Sequence, residues 1–258
     1  MTLPDSAMFA AAIADRRIWI AMAIAILAGV VRGFSGFGSA QIYIPLIAAV
    51  YEPRVAAVTL LLIDTAGSAP FTVRAFAHCT WREVLPMYLA AAVAVPLGTL
   101  ALLVIDPIVL RWFISILVLS LVGVLIAGWR YHGRARLPIT IGVGLVSGFG
   151  AGAVQIAGPP VLIYWLGAIN KAATVRANCL VYFLLLDLTS CAVYFWEGLI
   201  TAQLFALSLL LSVPFFLATA AGTKFFHGAS DLTYRRIAYA IIAGAAFVSI
   251  PVFDSVLR

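Results

Sequence analysis

Two stretches of this chain are too long and too apolar to be single helices. Residues 137–170 run 34 positions without a charged side chain, and residues 18–51 match that length with only Arg32 inside. As a straight helix each would reach about 50 Å at roughly 1.5 Å per residue, against a bilayer core of about 30 Å. Each is therefore expected to break and turn back. Both contain a polar glycine turn where this can happen, Ser35-Gly36-Phe37-Gly38 and Ser147-Gly148-Phe149-Gly150, with Pro45 and Pro159-Pro160 shortly beyond. Glycine tolerates the dihedrals a reversal needs, and proline interrupts the regular ladder. Both breaks are expected at these turns, giving two helical hairpins, either short spans or re-entrant half-helices.

The bilayer assumption rests on composition. Of 258 residues, 64% are hydrophobic and 10% charged, and the mean hydropathy is +1.12. No water-exposed surface is covered by so few charges. Six further apolar runs have the length of a membrane helix: residues 55–73, 84–105, 112–129, 177–196, 199–223 and 237–253. They lack the alternation of barrel strands, and lipid offers no partner to an open strand edge. The expected fold class is an all-α polytopic membrane protein.

Basic residues orient it. Arg74 and Arg82; Arg130, Arg134 and Arg136; Lys171 and Arg176; and Lys224, Arg235 and Arg236 form four loop clusters, ten of the sixteen Lys and Arg. All four lie on the cytoplasmic side if each hairpin begins and ends on one face, as the positive-inside tendency favours. Arg16 and Arg17 weigh against this assignment. Each half then holds a hairpin plus three helices, an odd number, so the second half enters the membrane inverted. The expected organisation is one membrane domain over residues 1–258, with a first repeat at 18–129 and a second at 137–253. The Ser-Gly-Phe-Gly turns are 112 apart, Gln41 and Gln155 with Pro45 and Pro159 are 114 apart, and Asp64 and Asp187 are 123 apart. Inverted repeats with broken helices are a recurrent design of secondary transporters, whose sites lie near the midplane.

These residues resemble the TauE/SafE sulfite exporter family, also called TSUP. The matching stretches are Gly33-Phe34-Ser35-Gly36-Phe37-Gly38-Ser39-Ala40-Gln41-Ile42-Tyr43-Ile44-Pro45 and Ser147-Gly148-Phe149-Gly150-Ala151-Gly152, followed by Gly158-Pro159-Pro160 and Arg176-Ala177. The family's triple glycine is diluted here by Ser39, Ala40 and Ala153. The resemblance covers nearly the whole chain. It implies movement of sulfite, sulfonates such as sulfoacetate, or related small organic anions across a bacterial inner membrane.

An anion suits the turns on physical grounds. Where a half-helix begins, its first N–H groups are unpaired and its dipole end is positive. Gly36, Gly38, Gly148 and Gly150 allow close backbone approach, while Ser35, Ser39, Gln41 and Gln155 add donors. Arg32 offers a guanidinium that fits a sulfonate, and its alternative reading is an interfacial arginine. The alternative for the glycines is close helix packing. Arg176 and Asn178 are placed along the cytoplasmic approach. Asp64 and Asp187 sit near the middle of apolar runs, where a carboxylate is costly and relays protons or stabilises a gate; a helix-to-helix hydrogen bond or an arginine pair is the alternative.

Other chemistry is disfavoured. Gly33-Phe34-Ser35-Gly36 has the form of an intramembrane serine protease turn, yet His78, His132 and His227 all fall in expected loops, away from Ser35. No Gly-Lys-Ser/Thr follows either turn, so neither is a phosphate loop. Cys79, Cys179 and Cys191 have no metal or disulfide spacing. The N-terminus lacks a cleavable-leader pattern, so the first segment is expected to stay. The net charge of +6 comes from loop arginines and does not imply nucleic acid. The expected function is a secondary transporter, not an enzyme, carrying a small anion by alternating access with protons as candidate coupling ion. No cofactor and no metal is expected, and membrane lipid is the surrounding partner. A passive anion channel is the alternative.

Overall fold

The computed structural model describes residues 5–35, 38–127, 133, 136–167, 172–225 and 231–253. Among them the ordered elements are eleven α-helices and a closing 3₁₀ turn at Pro251–Phe253. Helix α1 is Ser6–Ala14, followed by α2 (Arg17–Ser35), α3 (Ser39–Val50), α4 (Pro53–Ala75), α5 (Trp81–Val104) and α6 (Pro107–Ile126). Then come α7 (Leu137–Val154), α8 (Gly158–Gly167), α9 (Ala172–Trp196), α10 (Ala202–Phe225) and α11 (Asp231–Val248). Five of them, α5, α6, α7, α9 and α10, are long and apolar enough to cross a membrane. Helix α4 forms where a span was expected and carries Arg54, Asp64 and Arg74.

Local chemistry sets several helix starts. The Asp5 carboxylate accepts the Met8 N–H at 2.9 Å, and Asp106 accepts the Ile108 N–H at 2.8 Å ahead of α6, whose first residue is proline. These are ordinary N-caps, with proline where its missing N–H costs nothing. At the start of α2, Asp15 accepts the Arg17 guanidinium at 3.0 Å. That bond holds its carboxyl below the usual range.

Helix faces follow from the solvent on each side. On α5, Leu85, Leu89, Val93, Leu97, Leu100 and Val104 form an exposed stripe at helical spacing, while Val84, Met87, Ala91, Val95 and Leu102 are buried. In a bilayer the exposed stripe meets hydrocarbon at no cost, so packing depends on small residues that let backbones approach.

The chain divides into two compact units. The first holds Met1–Ile63, Ile105–Ile126 and Leu199–Arg258, and the second holds Asp64–Val104 and Ala127–Gly198. In the first, α2 packs along α10, and α3 packs against α2, α6 and α11. In the second, α5 packs along α7 and also meets α9, while α8 contacts both α7 and α9. Its core gathers Trp165, Tyr164, Tyr182, Val84, Met87 and Leu186.

The two units are built on one packing pattern. Gly29 and Gly33 of α2 stand against the Phe215 and Thr219 carbonyls of α10, and Gly148 and Gly152 of α7 stand against the Ala91 and Val95 carbonyls of α5. The glycines differ by 119 positions and their partners by 124. Gly222 against the Val30 carbonyl and Gly98 against the Phe149 carbonyl repeat the same two offsets. Helix starts agree: α3 and α8, and α4 and α9, are likewise 119 apart. The matching positions are therefore 119 or 124 apart, whereas the Ser-Gly-Phe-Gly turns are 112 apart.

One break differs from expectation. The first helix break does fall at the glycine turn, between the end of α2 at Ser35 and the start of α3 at Ser39, with Gly38 left-handed at φ 95° before α3. The second does not fall at Ser147-Gly148-Phe149-Gly150, which lies inside α7. There α7 continues to Val154 and ends at Gln155, left-handed at φ 55°. The reason is packing: Gly148 is needed for close contact with α5, and a helix uses such a glycine without breaking.

Candidate functional site

The first break brings two of the expected site residues together. Arg32 is in the last turn of α2 and Ser39 is the first residue of α3. The Arg32 Nη1 donates to the Ser39 Oγ at 3.2 Å, and the guanidinium lies 5.9 Å from the centre of the Phe215 ring. The arginine thus spans from a helix C-terminus, which favours a cation, to a helix N-terminus, which favours an anion. Gly38 precedes α3 without a side-chain cap, so the first N–H groups of that helix have no intrahelical partner.

Gln41 follows two residues further along α3. It is only 2% exposed, and its Oε1 has no hydrogen-bond partner. Pro45, four residues on and inside the same helix, has no N–H, so the Gln41 main-chain carbonyl also loses its usual donor. A buried polar amide left this way costs free energy unless a ligand or water satisfies it. Gly36 lies outside the described residues, as does the Ser35 side chain.

The second unit holds the remaining candidates. Around its break the Ser147 Oγ donates to the Ala157 carbonyl at 2.9 Å and accepts from the Tyr182 hydroxyl at 2.9 Å. The Tyr194 hydroxyl donates to the Gly152 carbonyl at 2.7 Å. Gln155 closes α7 with its N–H on the Ala151 carbonyl, and the Ile156 N–H returns to the Gly150 carbonyl, both at 3.1 Å. This is a helix stop of the kind that usually places glycine in the left-handed position. The Gln155 Nε2 is buried beside the Tyr194 hydroxyl. A side chain on Gly150 would meet the Ile156 carbonyl at 2.5 Å, so that glycine serves the stop itself.

Asn178 is fully buried and occupied. Its Oδ1 accepts the Thr80 N–H at 2.7 Å, and its Nδ2 donates to the Glu83 Oε2 at 3.1 Å. Thr80 and Glu83 have the spacing of a capping box, and Asn178 of α9 bridges the two groups that would otherwise meet. Arg176 is exposed. Asp64 and Asp187 are half-buried, on α4 and α9. Thr65, beside Asp64, lies 3.6 Å from the Cys191 sulfur, one turn beyond Asp187, so both acids flank one helix contact.

Sequence reasoning missed Arg111. It is 2% exposed near the start of α6 and donates to the Ser249 carbonyl at 3.0 Å. In sequence it stands at the edge of an apolar run, just before Trp112, and nothing there marks it. Among the described residues no group of three or more His, Cys, Asp and Glu is placed to hold a metal ion.

The sulfite exporter TauE/SafE family matches residues 21–248, nearly the whole chain. No curated protein and no solved structure matches it.

Proposed function

The chain belongs to the sulfite exporter TauE/SafE family, a family of anion transporters rather than enzymes, and on that premise we propose that it moves sulfite or a sulfonate by alternating access. It is a multi-pass membrane protein that transports a small anion, and its family places it in the cell inner membrane. The finer reading rests on one observation above others: Arg32 reaches Ser39 at 3.2 Å at the N-terminus of α3. A guanidinium, a hydroxyl and free helix N–H groups are the donor set that a pyramidal or tetrahedral sulfur oxyanion requires. Gln41, buried on the same helix, adds a side-chain amide whose nitrogen is a donor.

The recurrence of helix starts and glycine contacts supports two repeats, and the hairpin plus three helices expected of each half would make them inverted. Asp64 and Asp187 are the coupling groups in this reading, because a carboxylate within an apolar span is retained for a proton or a gate. The remaining candidates belong to the second unit: Gly150 and Gln155 form its break, Arg176 lies on its approach, and Gly148 and Asn178 seat its helices.

The test is binding and flux of sulfite, sulfoacetate and taurine in proteoliposomes, comparing wild type with Arg32→Gln. The expected result is saturable flux of a sulfur oxyanion or sulfonate, weakened about ten- to a hundredfold in KM by the variant, the range of a charge-assisted hydrogen bond. Equal KM for both proteins would remove Arg32 from the site.

A further inference from the structure

We propose that Arg111 is a positioning residue that holds the anion-binding half-helix α3 in place through Ser249. The inference rests on the reading of α3 given above. Helix α3 has 12 residues with Pro45 inside it. A helix so short is marginal alone, and the proline removes one of its few internal hydrogen bonds. Its orientation must be fixed from outside, and the alignment of its N-terminal N–H groups depends on that orientation.

The structure supplies the fixing in two bonds. The Ser249 hydroxyl donates to the Pro45 carbonyl at 2.7 Å, and the Arg111 Nη2 donates to the Ser249 carbonyl at 3.0 Å. Both residues are buried. Ser249 directly follows α11, and its N–H still bonds the Ala245 carbonyl, so it closes the last turn. The terminal carbonyls of a helix lack intrahelical donors and carry its negative end. A buried guanidinium there satisfies one of them and holds Ser249 firm. The strut therefore runs from α6 across the end of α11 to the middle of α3, all within one unit. An arginine inside an apolar span is costly to keep, and a fixed binding helix is the return.

Ser249→Ala tests the link most cleanly, because it removes the hydroxyl and leaves the carbonyl that Arg111 uses. In proteoliposomes Ser249→Ala is expected to raise the anion KM about three- to tenfold with maximal rate held within about twofold. Amide hydrogen exchange over residues 39–50 should quicken, while exchange in α5 and α7 stays as in wild type. Ser249→Thr, which keeps the hydroxyl, should restore both readouts. Arg111→Lys should fall between wild type and Arg111→Gln. Unchanged KM and unchanged α3 exchange in folded Ser249→Ala would overturn the strut, and so would a uniform loss of rate and stability with no change in KM. If wild type shows no saturable anion flux, the functional reading fails separately. Exchange in α3 then decides the strut alone: faster exchange supports it and unchanged exchange overturns it.

Discussion

Gln155 occupies a backbone position that glycine would fill more easily, with φ 55°, and its side-chain nitrogen is buried beside the Tyr194 hydroxyl. A left-handed non-glycine residue costs about 1 kcal/mol, and such strain collects at functional sites. The side chain is what the chain gains by keeping it. Gln155→Gly is therefore expected to hold or raise stability by up to about 1 kcal/mol while lowering anion flux about tenfold; thermal unfolding and flux on the same preparation check this. Equal flux in the two proteins would make Gln155 a helix stop only. Asn178 points the other way, since both ends of its amide are engaged with Thr80 and Glu83. Asn178→Ala should cost about 1–2 kcal/mol through the lost cap and leave the anion KM near wild type. A raised KM at unchanged stability would return Asn178 to the substrate path. At this scale the sequence showed which residue types were costly to bury, and so pointed to Arg32, Gln41 and Gln155. It could not show that Asn178 is used up by a capping box on another helix, because that depends on a contact 98 residues away in the chain.

Helices in this protein meet through glycine, and the substitution pattern should reveal it. A methyl on Gly148 would meet the Ala91 carbonyl and one on Gly29 would meet the Phe215 carbonyl, whereas Gly123 and Gly142 face open space. Gly148→Ala and Gly29→Ala should each cost about 1–3 kcal/mol by forcing two helices apart. Gly123→Ala and Gly142→Ala should be neutral or gain up to about 1 kcal/mol from helix propensity. Thermal unfolding in detergent separates the two pairs, and equal effects at all four positions would contradict this packing. The same physics explains the misplaced second break. In sequence, a glycine that turns the chain and a glycine that seats a neighbouring helix look alike, and Ser147-Gly148-Phe149-Gly150 is of the second kind. Pro159, in the first turn of α8, was the better marker, since proline is accepted where a helix begins.

On the scale of the whole molecule, helix order and packing recur from one half of the chain to the other, each unit using helices from both halves. That exchange was not legible in the sequence. The residues that resemble each other most, the two Ser-Gly-Phe-Gly turns, are not the ones that occupy matching places. Gly29 with Gly148 and Gly33 with Gly152 do match, but glycines are too common here for the pairing to stand out beforehand. Arg111 escaped for a similar reason, because only the return of the chain at Ser249 shows what it holds. Proton coupling also belongs to this scale. Asp187→Asn should abolish the response of anion flux to a pH gradient while leaving binding at fixed pH in place, as expected of a carboxylate that carries the proton; an undiminished response would remove Asp187 from coupling. The most direct test of the account is sulfite flux into proteoliposomes holding the purified chain, measured with and without a pH gradient alongside chloride and the Arg32→Gln variant. The account predicts saturable sulfite flux that responds to the gradient and weakens in the variant, and an unsaturable chloride conductance indifferent to Arg32 would contradict it.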